Sequence, residues 1–148
     1  MKRLLTLALA AGLLLGAMTV PAQAAPGRAC TGWQYQVRRT TPPAIRERRV
    51  ARLIRCVFNE VGIGGQAAYA VVIADRESGL APWAYNSSSC ASGLFQHICS
   101  YWPGRAHALP RAQFPRWPDS SVFRARANVW AAARMVKAGG WGAWTTAS

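Results

Sequence analysis

Acidic side chains are scarce in this chain. Asp and Glu number five against eighteen Lys and Arg, for a net charge of +13. The five are Glu47, Glu60, Asp75, Glu77 and Asp119. So few carboxyls leave a short list of candidates for acid–base work. Histidine is rarer still: only His97 and His107 occur, ten residues apart. The cysteines contain no close pair, so neither a metal centre nor a cofactor is expected. Internal repeats and low-complexity segments are absent, and nothing resembles a nucleic-acid-reading motif. Beyond the first two dozen residues no stretch is apolar and long enough to span a bilayer.

The N-terminus has the three parts of an export signal. Lys2-Arg3 is a basic start, Leu4 to Val20 an apolar centre, and Pro21-Ala22-Gln23-Ala24 ends in an Ala-x-Ala cleavage pattern. Residues 1–24 are therefore expected to be removed, leaving a chain secreted to the medium or the cell wall, with no membrane anchor. Cys30 follows Gly27-Arg28-Ala29, which is not a lipid-attachment context. Residues 25–148 keep all five acids and lose only Lys2 and Arg3, so their net charge is +11. One domain and a monomer are expected. A basic exported protein is drawn to polyanions, so anionic wall polymers are candidate partners; nucleic acid is not.

Four cysteines in an exported chain read as two disulfides. Three pairings are possible. The local one, Cys30–Cys56 with Cys90–Cys99, is favoured because each bond closes a short loop. In a chain-entropy view the two contribute roughly 3.5 and 2.7 kcal/mol.

Residues 25–43 are polar and basic and contain Pro26, Pro42 and Pro43. They read as a loose arm tethered by Cys30, ahead of a helical domain over 44–148. Trp33 and Tyr35 are candidates to pack back onto that domain. From Ala44 to Asn59, apolar residues fall at Val50, Leu53, Ile54, Val57 and Phe58, a helical period. Arg46, Glu47, Arg48, Arg49, Arg52 and Arg55 fill the other face, which reads first as solvated and second as a patch for anionic polymer. After Gly62, Gly64 and Gly65, Gln66 opens a run, Tyr69 to Ala74, that is apolar all round and reads as a buried helix. Tyr85 to Ser89 reads as a turn and Gly93 to Gln96 as a hairpin piece. Trp83, Trp102 and Trp117 suit either core packing or sugar-ring stacking. Asp119-Ser120-Ser121 reads as an N-cap for a helix through Phe123, Ala127, Trp130, Met135 and Val136, stopping at Gly139-Gly140. Trp141 and Trp144 are expected to fold back on the body.

Two segments carry the chemistry. Asp75-Arg76-Glu77-Ser78-Gly79-Leu80 ends the apolar helix, and Gly79 is a natural C-terminal stop. A carboxyl held at the edge of a core is pushed towards its protonated form, as a general acid requires. Asp75 lies about 200° around the helix from Glu77, so the two do not form a catalytic pair, and Asp75 is expected to pair with a cation.

The second segment, Ser92-Gly93-Leu94-Phe95-Gln96, completes a pattern. Glu-Ser-Gly followed by Gly-Leu-Phe-Gln, with Gln96 nineteen residues after Glu77, resembles the lysozyme-like superfamily, in particular its soluble lytic transglycosylase branch. Tyr101-Trp102-Pro103-Gly104-Arg105-Ala106, Asn128 and Gly140-Trp141-Gly142-Ala143-Trp144 add to the resemblance, which covers about Val50 to Trp144. It implies a mainly α (α+β, lysozyme-like) fold: a helical domain with a small β-hairpin and a substrate cleft. It implies cleavage of β-1,4 bonds in the glycan strands of bacterial peptidoglycan, with Glu77 as acid. Ser87 and Gln96 are the implied sugar contacts, with Ser92 and Tyr101 as further candidates. The branch closes a 1,6-anhydro ring instead of adding water, and needs one carboxyl. The chain departs from the branch where an Ala-Tyr-Asn-Ala-Gly segment would stand, so lysozyme-type hydrolysis stays an alternative. A basic wall-binding module without catalysis is the reading from a different class.

Overall fold

The computed structural model of the protein describes residues 30–114 and 119–144. The export signal, the first residues of the arm and Trp117 lie outside the described residues. Four helices carry the fold: α1 (Pro43–Glu60), α2 (Ala67–Ser78), α3 (Trp102–His107) and α4 (Ala125–Gly139). Three two-residue strands, β1 (Tyr85–Asn86), β2 (Ala91–Ser92) and β3 (His97–Ile98), form an antiparallel meander between α2 and α3. The fold is thus mainly helical with one small sheet, braced by the disulfides Cys30–Cys56 and Cys90–Cys99. Among the described residues no helix is long and apolar enough to cross a membrane.

The central element is α1. Pro43 sits in its first turn, where a missing N–H costs nothing. Val50, Leu53, Ile54, Val57 and Phe58 are all buried, and the helix packs on both α2 and α4. Burying such side chains stabilises the fold by about 2 kcal/mol each. In α4, Ala127, Ala131, Ala132 and Ala133 are buried, and their small side chains let it lie close against α1.

Four expectations need correction. The α2 run is not buried all round: Ala67, Ala70, Ile73 and Ala74 face the core, while Tyr69 and Val72 are 48% and 45% exposed. One face of small residues is enough to seat this helix on α1. The arm is not loose over residues 30–42, because Tyr35 and Val37 pack on the core and Arg49 donates to the Gln36 carbonyl at 2.8 Å. Trp33 stays 73% exposed beneath the Arg49 guanidinium. Tyr85 to Ser89 is not one turn. Its first two residues are β1, and the Asn86 side chain accepts from the Ser88 and Ser89 N–H groups to build the turn that follows. Finally, α4 begins at Ala125 without a side-chain cap. Residues 119–124 are held out of the helix because their carbonyls are needed elsewhere: Ser120 accepts from Trp102 Nε1 and Val122 from Asn128 Nδ2.

That last bond belongs to the joint that positions the hairpin. Residues 93–96 form the turn between β2 and β3, with β2 and β3 in register at Ser92↔His97. Asn128, fully buried on α4, accepts from the Phe95 N–H at 2.9 Å and donates to the Ser92 carbonyl at 3.2 Å and the Val122 carbonyl at 2.9 Å. Trp144 Nε1 donates to the Phe95 carbonyl at 3.0 Å. Gly93 adopts φ +77°, and a Cβ there would stand 2.2 Å from Asn128 Nδ2, so this turn requires glycine.

Replacing Asn128 by Ala strands the Phe95 N–H and two carbonyls. The expected loss is at least about 3 kcal/mol by urea unfolding. A loss under about 1 kcal/mol would show that the joint is not needed.

Candidate active site

Glu77 occupies the last turn of α2. The helix stops one residue later because Gly79, at φ +56°, leaves helical space while its N–H still bonds the Asp75 carbonyl at 2.7 Å. The carboxyl is half-buried, and among the described residues no hydrogen bond or ion pair engages it. Burial alone pushes its pKa above the ordinary 4.5. Asp75 is exposed and takes no part in an ion pair among the described residues, where Arg46–Glu47, at 3.9 Å, is the only one. The cation expected for Asp75 is not found among the described residues.

The neighbouring side chain ties Glu77 to the hairpin. Ser78 Oγ donates towards the Ala74 carbonyl at 2.8 Å and the Leu94 carbonyl at 3.0 Å. The end of α2 and the Gly-Leu-Phe-Gln turn thus share one hydroxyl. From the other side Arg46 donates to the Gly79 carbonyl at 3.4 Å, a cation at a helix C-terminus. The Trp83 ring lies under the guanidiniums of Arg46 and Arg39, 5.8 and 5.6 Å from its centre.

The sugar-contact candidates separate. Gln96 is half-buried at φ +45°, and its Nε2 donates to the Gly93 carbonyl at 2.9 Å, so one end of its amide is used to close the turn. Ser92 is buried and its hydroxyl donates to the Cys90 carbonyl at 3.2 Å, which directs it inward. Ser87 is exposed on the β1–β2 turn, at the opposite end of the meander from Gln96. Tyr101 is 62% exposed with the Arg105 guanidinium 5.4 Å over its ring. A cavity of about 480 Å³ lies between the arm, α1 and residues from 113–114 and 119–126. Glu77 does not line it, so it is not the cleft expected around that residue.

Two features near the hairpin escape the sequence reading. His97 is fully buried behind the turn. Arg105 can only donate to its Nδ1, at 2.8 Å, so Nε2 carries the proton and donates to the Asn128 carbonyl at 3.0 Å. Burial, against the bond to Asn128 and helped by Arg105, lowers its pKa from 6.5 to about 4. The ring is a neutral brace, and a histidine inside a strand gives no sequence sign of that. The second feature is an aromatic ledge on α2, where Tyr69 meets the half-buried Trp141 edge to face at 5.0 Å. Its signal was legible: Ala67, Ala70 and Ala74 mark the buried side of the helix and so turn Tyr69 and Val72 outward.

Among the described residues no group of three or more His, Cys, Asp or Glu could hold a metal ion. Comparison of the chain with protein-family models, curated proteins and solved structures finds no match.

Two titrations follow. The raised Glu77 pKa means the folded state holds a proton that the unfolded chain has lost, so stability falls as pH rises from about 4.5 through the folded value. Glu77→Gln is therefore expected to raise Tm at pH 7 and leave it unchanged at pH 3, in paired thermal scans. The depressed His97 pKa acts in the other direction. Stability is kept above pH 6.5 and falls between 6.5 and about 4, by about 3 kcal/mol from this group. Urea unfolding at pH 7 and pH 4 measures it, and His97→Gln is expected to flatten the profile.

Proposed function

We propose that this protein is a secreted enzyme that cleaves β-1,4 glycosidic bonds of bacterial peptidoglycan, as a lytic transglycosylase, with Glu77 as its acid and base. The observation that carries the reading is the unpaired, half-buried carboxyl of Glu77, raised in pKa and hooked through Ser78 to the Gly-Leu-Phe-Gln turn. The two halves of the sequence resemblance are thus joined by one hydrogen bond.

Breaking a glycosidic bond requires a proton for the leaving oxygen and a group to meet the positive charge at the sugar carbon. The remaining acids are poor candidates for the second task. Glu47 pairs with Arg46, Glu60 accepts from Gln113, Asp75 points away from Glu77, and Asp119 lines the separate cavity. A one-carboxyl route fits this set. Glu77 protonates the leaving oxygen, the N-acetyl group of the substrate meets the charge, and Glu77 then takes the proton of the 6-hydroxyl as the anhydro ring closes. Lysozyme-type hydrolysis would use the same acid, with the Glu77 carboxylate taking its proton back from water instead of from the 6-hydroxyl.

Purified peptidoglycan is digested with the wild-type chain and with Glu77→Gln, and the soluble fragments are weighed by mass spectrometry. Fragments ending in 1,6-anhydro rings, one water lighter than reducing ends, are expected from the wild type. The variant is expected to lose at least about 100-fold in rate. Full cleavage by the variant would remove Glu77 from the mechanism, and reducing ends would make the enzyme a hydrolase.

A further inference from the structure

The outward face of α1 is a row of arginines that the fold itself does not use. Arg48, Arg52 and Arg55 are spaced i, i+4 and i+7, so at 100° per residue they fall within an arc of about 60°. That arc is opposite the buried stripe of Val50, Leu53, Ile54 and Val57. All three side chains are exposed. Arg48 uses only its Nε, on the Ala44 carbonyl at 3.2 Å. Arg52 and Arg55 make no hydrogen bond or ion pair among the described residues. The other arginines of the helix behave differently. Arg46 holds Gly79, and Arg49 holds Gln36 beneath Trp33.

Like charges three and four residues apart on a helix repel by a few tenths of a kcal/mol per pair. A surface shaped for solubility alone intersperses both signs. Here the flanking acids are already engaged: Glu47 by Arg46 and Glu60 by Gln113. The row therefore carries an unbalanced charge along about two helical turns. Neighbouring guanidiniums sit about 5–6 Å apart at Cβ, which suits a chain of closely repeated anions. Planar, bidentate guanidinium donors match phosphate oxygens better than lysine ammonium does.

We infer that the Arg48–Arg52–Arg55 face binds a flexible phosphodiester polymer of the bacterial wall. It lies on the side of α1 opposite the buried stripe that packs on α2, whose last turn carries Glu77. The inference does not rest on Glu77 being catalytic, and Glu77→Gln is expected to bind the polymer as the wild type does.

Poly(glycerol phosphate) of defined length is the probe, titrated by calorimetry at several salt concentrations. The wild type is expected to bind with a strong salt dependence. The triple variant Arg48→Gln/Arg52→Gln/Arg55→Gln is expected to bind at least about tenfold more weakly. Its slope of log K against log salt should drop by about 2, from ~0.7 per lost phosphate contact on a single flexible chain. Replacing the same three by Lys is expected to keep the slope. The control Arg111→Gln/Arg124→Gln/Arg134→Gln removes the same charge elsewhere and is expected to bind nearly as the wild type does. Thermal scans establish that each variant is folded. Equal losses in the control and the row variant would reduce the effect to net charge and overturn the site. Unchanged binding by the row variant would do the same. Tighter binding to single-stranded DNA, to anionic phospholipid vesicles or to the carboxylate polymer hyaluronate would overturn the assigned partner.

Discussion

The buried amide of Asn128 is the joint on which the rest of this structure depends. It offers one acceptor and two donors and places all three on backbone groups: the Phe95 N–H and the Ser92 and Val122 carbonyls. A two-residue strand cannot hold its own register, and three of them make a sheet too small to stand alone. The hairpin is fixed because α4 supplies the missing partners, with His97 and Trp144 sealing the same turn. Since α4 is in turn seated on α1 by its alanine face, the rigidity of the turn derives from the helical core. Ser78 then passes that rigidity to the last turn of α2, where Glu77 sits.

The scarcity of acids gives this arrangement its chemical meaning. A carboxyl near many cations would be held ionised, yet in a chain of net charge +13 no cation among the described residues pairs with Glu77. Arg46, near the same helix end, is committed to the Gly79 carbonyl and to the Trp83 ring. Arg48, Arg52 and Arg55 are displayed on the far side of α1. The molecule thus separates its two kinds of electrostatics: one protonatable carboxyl at the hairpin, and a positive ridge facing away from it. That division suits a protein that works on uncharged sugar bonds within a charged matrix.

Much of this was legible in the residues. The period of Val50, Leu53, Ile54, Val57 and Phe58 marked α1, Gly79 marked the end of α2, and loop length favoured the disulfide pairing that is present. What the residues could not supply was long-range bonding. Asp119-Ser120-Ser121 has good capping chemistry, but Trp102 and Asn128 claim the carbonyls around it, so the helix starts later. In the Tyr69 to Ala74 run both sides are apolar, so only the spacing of Ala67, Ala70 and Ala74 marks which side is buried. Ser92 and Gln96 were placed at the site by resemblance, but their local bonds to Cys90 and Gly93 emerge only once the turn is built. Ser87 and Gln96 are both implied sugar contacts, and the meander places their turns at opposite ends of the small sheet.

The Asn128 joint and Ser78 hold the Glu77 carboxyl in a half-buried setting that raises its pKa. Carbon-13 NMR titration of the Glu77 side-chain carboxyl measures this directly. The account requires a midpoint above 4.5 in the wild type, moving back towards 4.5 when Ser78→Ala frees the helix end from Leu94. A wild-type midpoint at or below 4.5 would contradict it.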